Sequence, residues 1–225
     1  LVNTLVMTLL SLLIAVPIGV CAAIYMVEYA KRGNKLVKLV RLTAETLQGI
    51  PSIVYGIFGY VFFNVALHCG FSMLAGALTL SIMILPLILR TTEEALMAVP
   101  DSYREGSFGL GAGKLRTVFR IVLPSAMPGV LAGVILAIGR IVGESAALIY
   151  TSGSGTGNLS FIKNGAFSLT APLFQSTRTL SVHMYALMSE GLYTDQAHAT
   201  AVILMVLVIG LNALSSFAAK KLTKQ

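Results

Sequence analysis

Five apolar stretches dominate this chain, and each is long enough to approach or cross the hydrocarbon core of a membrane. Crossing that core as an α-helix takes roughly 20 apolar residues, because the backbone must satisfy its hydrogen bonds within the segment. With 56% hydrophobic and 11% charged residues, the chain also has too little charge to cover a soluble globule of 225 residues. The sequence therefore predicts an all-α polytopic membrane protein with spans at about 2–27, 43–67, 74–90, 126–150 and 199–219.

Basic residues are clustered between the apolar stretches, so the net charge of +7 indicates membrane topology and not nucleic-acid binding. Three clusters follow the first stretch, the third stretch and the last stretch: Lys31, Arg32, Lys35, Lys38 and Arg41; Arg90, Arg104, Lys114, Arg116 and Arg120; Lys220, Lys221 and Lys224. The opposite side has only Lys163 and Arg178. The positive-inside rule then predicts an N-terminus outside and a C-terminus in the cytoplasm.

No linker divides the chain, which indicates a single transmembrane domain over 1–225. The polar stretch at about 151–198 is expected to be an extracytoplasmic segment with short helices. Leu1 is not an initiator Met, and no basic residue precedes the first apolar stretch. We therefore expect this core to belong to a longer protein with at least one upstream helix.

Prolines interrupt three of the apolar stretches. Pro51, Pro86 and Pro128 each remove a backbone hydrogen bond and are expected to bend their helices. Bent helices can line a transport path, and they also occur in ordinary helix packing. The prolines therefore support transport only together with other signals.

A long polar interruption separates the third and fourth apolar stretches, from about residue 91 to residue 124. It keeps apolar residues at helical spacing, which predicts short amphipathic helices. Ser102 precedes Glu105 by three residues, so a capping box is expected at the start of the first helix. Gly109, Gly111 and Gly113 then permit a sharp turn. We expect a helix, a glycine turn and a second helix that project into the cytoplasm.

The spacing within this interruption resembles the EAA loop of the binding-protein-dependent ABC importer permeases. That pattern is Glu-Ala-Ala, three residues, Gly, nine residues and Ile-x-Leu-Pro, and its positions here are Glu105, Gly106, Ser107, Gly111, Ile121, Leu123 and Pro124. Gly106 and Ser107 replace the two alanines; they are small but form helices less readily. The resemblance covers nearly the whole chain and implies the five-helix core of the MetI-like fold.

The resemblance also implies partners. In that family the loop seats in a groove of a cytoplasmic ATPase subunit, and the complex has two such subunits, which bind ATP and magnesium. A homologous second permease and an extracytoplasmic binding protein complete it. No cofactor or catalytic residue is expected in this chain, which would be a transport subunit and not an enzyme. Side chains suited to the ATPase contact combine apolar anchors with charged groups: Phe108, Leu110, Arg104, Glu105, Lys114 and Arg116.

Two charged residues lie inside the fourth apolar stretch. Arg140 and Glu144 are four residues apart, which would put both on one face of a helix. Charges at that depth are costly and commonly functional, and a freed guanidinium suits a tetrahedral oxyanion. We predict that the pair lines or gates the pathway, with a structural ion pair as the alternative. Weaker candidates for the lining are four polar residues: Thr43, Glu45, Ser52 and Ser145.

Three segments, 49–59, 90–118 and 140–153, resemble the A-type permeases of phosphate-specific importers. The cargo implied by this resemblance is inorganic phosphate, delivered by a phosphate-binding protein across the cytoplasmic membrane of a bacterium or archaeon. Permeases for molybdate, tungstate or sulfate share the EAA loop, so another oxyanion is the alternative cargo. The residues by themselves indicate only an anion.

Other functions are less consistent with the sequence. Residues 111–114 read Gly-Ala-Gly-Lys, but Phe108 occupies the first glycine position of a Walker A motif and Leu115 follows the lysine, so no phosphate cradle is expected. An ATP-independent channel or carrier could use the same bent helices, yet it would have no ATPase for an EAA loop to contact. A membrane scaffold would leave the intramembrane charges unexplained.

Metal binding is not expected. The three histidines, at positions 68, 183 and 198, lack ligand spacing. Cys21 and Cys69 show neither disulfide nor metal spacing and are expected to be free thiols.

Overall fold

The structure, a computed structural model, describes residues 1–31, 33–155, 162–163, 166–167, 171–191 and 193–223. Arg32 and Lys224, which belong to the predicted basic clusters, lie outside the described residues. Parts of the predicted extracytoplasmic segment 151–198 lie outside them as well.

Helices make up nearly all of the described chain, and in chain order they are α1 (Val2–Ile24), α2 (Lys35–Gln48), α3 (Ser52–Gly59), α4 (Met73–Met97), α5 (Asp101–Gly109), α6 (Lys114–Thr117), α7 (Leu123–Gly143), α8 (Ala146–Thr151), α9 (Leu180–Glu190) and α10 (Thr194–Thr223). π-Helical turns follow α1 and α3 and join α6 to α7: Tyr25–Tyr29, Tyr60–Ala66 and Val118–Val122. Between α8 and α9 lie two short antiparallel strands and a 3-10 turn: β1 (Ile162–Lys163), β2 (Ala166–Phe167) and Ala171–Phe174. The predicted all-α class is confirmed, with one very short hairpin added.

Four helices in the described chain are long and apolar enough to cross a membrane: Val2–Tyr29, Met73–Met97, Lys114–Gly143 and Thr194–Phe217. They correspond to the first, third, fourth and fifth predicted spans. The third continues past its predicted end at residue 90, because the charged side chains beyond that point are paired. Arg90 Nε lies 3.1 Å from Oε1 of Glu94, one turn further along the same helix face.

The second predicted span, 43–67, is not one straight helix. Its residues belong to α2 and to α3 with its π-helical turn, and these two segments meet at an angle of 105°. The break contains Pro51, which lacks an N–H and disfavours helical backbone at the residue before it. Pro86 and Pro128, by contrast, lie inside α4 and α7, which continue through them as α-helix.

Helix α2 runs antiparallel along the second half of α4. Three side-chain contacts join them in register: Arg41 Nη2 to Glu93 Oε1 at 2.5 Å, Glu45 Oε1 to Arg90 Nη1 at 3.7 Å, and Gln48 Nε2 to the Pro86 carbonyl at 3.0 Å. Glu93 is almost fully buried, so its contact with Arg41 compensates a costly charge. These contacts hold the amphipathic α2 against the bundle.

Helix α4 is the centre of the bundle and packs along both α1 and α7. Reciprocal hydrogen bonds join it to α1: Ser11 Oγ donates to the Ala77 carbonyl at 3.3 Å, and Ser81 Oγ donates to the Ser11 carbonyl at 3.2 Å. Such polar contacts are effective between apolar helices, where water does not compete. Helix α10 is peripheral; it contacts α7 and α9 and leaves its apolar surface uncovered.

Candidate functional site

The polar projection, residues 98–122, connects α4 to α7 and contains α5, the glycine turn, α6 and a π-helical turn. Helix α5 begins at Asp101, directly after Pro100, and no side-chain cap is formed. The expected capping box of Ser102 and Glu105 is therefore wrong, because the helix starts too early for Ser102 to be its N-cap. Asp101 instead provides a favourable negative charge in the first turn.

The turn after α5 depends on Gly111. Its φ of 80° lies in the left-handed region, which glycine adopts without steric cost. The N–H of Gly111 donates to the Phe108 carbonyl at 2.9 Å, and the N–H of Ala112 donates to the Ser107 carbonyl at 3.1 Å. These bonds close the end of α5, so the chain reverses at the glycine predicted by the EAA spacing.

Ser107 and Thr117 brace the two arms of the projection against each other. Their hydroxyl oxygens lie 2.8 Å apart, and both residues are buried. A small polar residue at position 107 is thereby accommodated between the helices, whereas Gly106 faces open space. The two positions that replace the family's alanines therefore differ in their surroundings.

The outer surface of the projection combines apolar and charged groups. Leu110 at the tip is 92% exposed, and Phe108 and Leu115 beside it are also exposed. Glu105 is exposed on the same projection. Arg116 and Arg120 line a shallow pocket of about 330 Å³ next to the turn, together with Ser107, Leu110, Gly111, Ala112 and Ile121. This is a protruding, net basic surface with an apolar tip, suited to insertion into a groove of another protein.

Arg104 does not belong to that outer surface, so its expected place in the ATPase contact is wrong. Its guanidinium turns inward, where Nε and Nη2 donate to Oε1 of Glu28 at 3.1 and 2.7 Å. It also donates to the carbonyls of Leu96 and Val99 at the end of α4. Glu28, which the sequence reasoning missed, is the lone acid at the end of the first apolar stretch. An isolated acidic residue beside an apolar stretch was the sequence feature that could have indicated a buried partner.

The remaining positions of the EAA pattern lie where the projection enters the bundle. Ile121 and Leu123 are half-buried, and Pro124 is the second residue of α7. The helix runs through Pro124, since Lys114–Gly143 forms one continuous span. Val118 and Val122 are fully buried against Ile24 and Leu96. The second arm of the projection is thus the first part of the fourth span.

Arg140 and Glu144 are not on one helix face, contrary to expectation. Helix α7 ends at Gly143, and Glu144 has extended backbone with ψ of 125°. The Oε1 of Glu144 accepts a hydrogen bond from the Ala147 N–H at 3.2 Å, so this carboxylate caps α8. Among the described residues no ion pair includes Arg140, which is half-buried near the end of α7.

The two interrupted spans contact each other. Helix α3 packs on α8, and the approach is so close that a Cβ at Gly56 would lie 2.8 Å from the Ala147 Cα. Asn64 Nδ2 donates to the Thr151 carbonyl at 3.1 Å and ties the same elements together. Irregular backbone within a membrane is tolerated where it is buried in protein or lines a cavity, and broken helices commonly bind ions in transporters. Arg140 and the helix break after it are therefore reasonable candidates for the lining of a transport path.

The weaker lining candidates are divided between two places. Ser52 and Ser145 are half-buried and lie at the two helix breaks. Thr43 and Glu45 are exposed on α2, where Thr43 Oγ1 donates to the Leu39 carbonyl and Glu45 pairs with Arg90. No group of acidic, histidine or cysteine side chains in the described part of the chain could hold a metal ion.

Comparison with known sequences identifies relatives over most of the chain. The sequence profile of the family described as binding-protein-dependent transport system inner membrane component matches residues 15–224. The probable ABC transporter permease protein YqgI of Bacillus subtilis is 37% identical over 98% of this chain and 78% of its own length. The phosphate transport system permease protein PstA of Yersinia pestis is 34% identical over 92% of this chain and 68% of its own length.

A third relative, PstA 1 of Mycobacterium tuberculosis, is 39% identical over 67% of this chain, and the match spans 49% of its own length. Among solved structures, an inward-facing form of the MetNI methionine ABC transporter matches 98% of this chain and 91% of its own, with a TM-score of 0.73 and 21% identity. That likeness supports a MetI-like arrangement of the helices.

Proposed function

Because this chain belongs to the family of binding-protein-dependent transport system inner membrane components, we propose that it is the transmembrane subunit that carries inorganic phosphate in an ATP-driven importer. Membership makes it a multi-pass ABC importer permease and a transport subunit. The cargo, the partners and the roles of single residues are the proposal. The observation that carries the cargo is the identity of 34% to 39% with phosphate permeases of two organisms.

The polar projection is proposed to be the contact with the ATPase. Its exposed apolar tip at Leu110 and its charged flank at Glu105, Arg116 and Arg120 suit a groove in a partner subunit. Chemical energy would have to come from that partner, since residues 111–114 lack the features of a nucleotide-binding loop. ATP and magnesium would therefore bind to two cytoplasmic ATPase subunits, and the projection and the C-terminus would then lie in the cytoplasm.

Phosphate recognition is proposed at Arg140. A half-buried guanidinium without a carboxylate partner among the described residues can offer a planar pair of N–H donors to an oxyanion. Glu144 would act indirectly, because its carboxylate caps α8 beside this position. Another tetrahedral oxyanion, such as molybdate, tungstate or sulfate, could use the same group and is the second candidate cargo.

The proposed assembly contains this chain, a homologous second permease, two ATPase subunits and an extracytoplasmic phosphate-binding protein in a cytoplasmic membrane. The arrangement is supported by family membership and by the exposed apolar surfaces of α10 and α2, which lipid or a partner must cover. The similar solved structures support the fold and do not support any particular cargo.

Reconstitution tests the proposal directly. This chain is combined in lipid vesicles with the permease, ATPase and binding protein encoded beside it, and uptake of labelled phosphate is measured with and without ATP. Phosphate uptake that requires both ATP and the binding protein is the expected result. Uptake without ATP would instead support a channel or carrier, and ATP-dependent uptake of a different oxyanion alone would reject phosphate as the cargo.

A further inference from the structure

Arg104 joins α5 to the end of the neighbouring α4 and to the end of the first span, which is distant in sequence. Its guanidinium donates twice to Glu28 at the end of the first span, and it also bonds the Leu96 and Val99 carbonyls at the end of α4. The side chains of Arg104 and Glu28 are only 15% and 7% exposed. Separating a buried charge pair leaves an uncompensated charge, so α5 and the end of the first span resist being pulled apart.

A second contact joins the other arm of the projection, α6, to Tyr29, the residue that follows Glu28. The Lys114 ammonium lies 5.1 Å from the ring centroid of Tyr29, a distance at which a cation and an aromatic ring attract each other. Lys114 begins α6, on the far side of the glycine turn from Arg104. Both arms of the projection therefore hold adjacent residues of one π-helical turn, Tyr25–Tyr29.

The chain does not connect the first span directly to the projection. Helices α4 and α7 are connected to the two ends of the projection by the chain, whereas α2 and α3 lie between α1 and α4 in the sequence. Apolar packing adds to the polar contacts, since Ile24 is buried in the same cluster as Val99 and Val118. These contacts give motion of the projection a direct path to α1, in addition to the packing of α1 along α4 and α7.

We propose that Glu28 and Tyr29 are positioning residues that transmit movement of the polar projection to the first span, through Arg104 and Lys114. This inference rests on the proposed coupling of the projection to an ATPase. Because both side chains are largely buried, the pair acts by making α1 follow the projection and not by offering a surface to the ATPase. Its loss separates ATP hydrolysis from transport without removing the ATPase from the complex.

The test compares Glu28→Gln with Glu93→Gln in the reconstituted complex. The two variants make the same change in almost fully buried carboxylates that each pair with an arginine, but Glu93 joins α2 to α4 and does not contact the projection. We expect Glu28→Gln to keep the ATPase bound and active while phosphate transported per ATP falls about tenfold, within the range of coupling between distant sites. We expect Glu93→Gln to keep the wild-type ratio.

A second measurement follows α1 itself and does not depend on the cargo. Cys21 lies on α1 and is an exposed free thiol, and the only other cysteine, Cys69, can be replaced by Ser. A spin label on Cys21 should change its spectrum between nucleotide-free and vanadate-trapped complexes. Glu28→Gln should abolish that change.

The inference is overturned if Glu28→Gln keeps the wild-type transport ratio or the wild-type spectral change, or if Glu93→Gln loses the ratio to the same extent. If Glu28→Gln does not assemble, Tyr29→Leu decides, because it removes the ring contact at a partly exposed position; an unchanged spectral response then overturns the inference. A wild-type complex without phosphate uptake but with a spectral response would reject the proposed cargo alone.

Discussion

At the scale of single residues, Gly111 gives the sharpest test of the polar projection. Its left-handed backbone costs other residues roughly 1–2 kcal/mol, and no atom lies within 4 Å of the position that a Cβ would take. Gly111→Val should therefore act through the backbone and weaken ATPase association by about tenfold, since about 1.4 kcal/mol is a factor of ten. Association is measured by co-purification with the ATPase from membranes.

Gly113→Val is the matched control for that prediction. Gly113 is also exposed with open space at its Cβ position, but its φ of −74° is accessible to any residue. It should retain the ATPase and insert normally. Wild-type association by Gly111→Val would show that the turn does not determine the contact.

Arg140 is predicted to contact the transported anion. Arg140→Gln should lower phosphate uptake at least tenfold with assembly intact, because a hydrogen bond to a charged group contributes about 1.5–3 kcal/mol. Arg140→Lys should recover part of the uptake by restoring the charge without the planar fork. Uptake at the wild-type rate by Arg140→Gln would reduce this residue to a structural role, and loss of stability would favour a packing function.

Glu144 is predicted to stabilise α8 through its side-chain oxygen and not through its charge. Glu144→Gln keeps an oxygen that can accept from the Ala147 N–H, whereas Glu144→Ala removes it. The alanine variant should lose about 1 kcal/mol of stability relative to the glutamine variant, as is typical for loss of a helix cap. Thermal unfolding of the purified permease in detergent compares the two, and equal melting temperatures would contradict the capping role.

At the scale of helices, the contact between α2 and α4 depends on the Arg41–Glu93 pair. Arg41→Met alone should destabilise the protein by about 1–3 kcal/mol, because Glu93 stays buried without its partner. The double replacement of both residues by Met should recover most of that loss, since an apolar pair can substitute for a buried ion pair. A double-mutant cycle by chemical denaturation in micelles tests this, and additive losses would show that the two side chains do not interact.

The helices also show how far sequence reasoning extends. The first, third, fourth and fifth spans were predicted because each contains a long apolar run, and the reversal at Gly111 followed from glycine at a fixed spacing. The break after Gln48 lies at Pro51, where a bend was expected. The break after Gly143 was missed, because hydropathy averages over a window and does not report backbone angles. The Arg104–Glu28 contact joins residues 76 positions apart, and no local pattern encodes such a pairing. The sequence therefore predicts features set by neighbouring residues, such as apolar runs and glycine turns. Contacts between side chains of different helices can be identified only from the folded structure.

At the scale of the whole molecule, the proposed cargo makes a prediction about competing anions. A complex built for phosphate should take up phosphate with little inhibition by a large excess of sulfate or molybdate. A protonated phosphate can donate a hydrogen bond that fully ionised sulfate and molybdate lack, so an acceptor elsewhere in the complex would reject them, since Arg140 only donates. Uptake of labelled phosphate with each competitor measures this, and strong competition by either would shift the assignment to a broader oxyanion permease.

The continuous helix from Lys114 to Gly143 has a further mechanical consequence. At a rise of 1.5 Å per residue, its 30 residues form a rod about 45 Å long that runs from the polar projection to the break beside Arg140. A rod of that length that tilts by only roughly 5° moves its far end by about 4 Å. Leverage of this size means that a small displacement at one membrane surface is sufficient to widen or narrow a passage at the other.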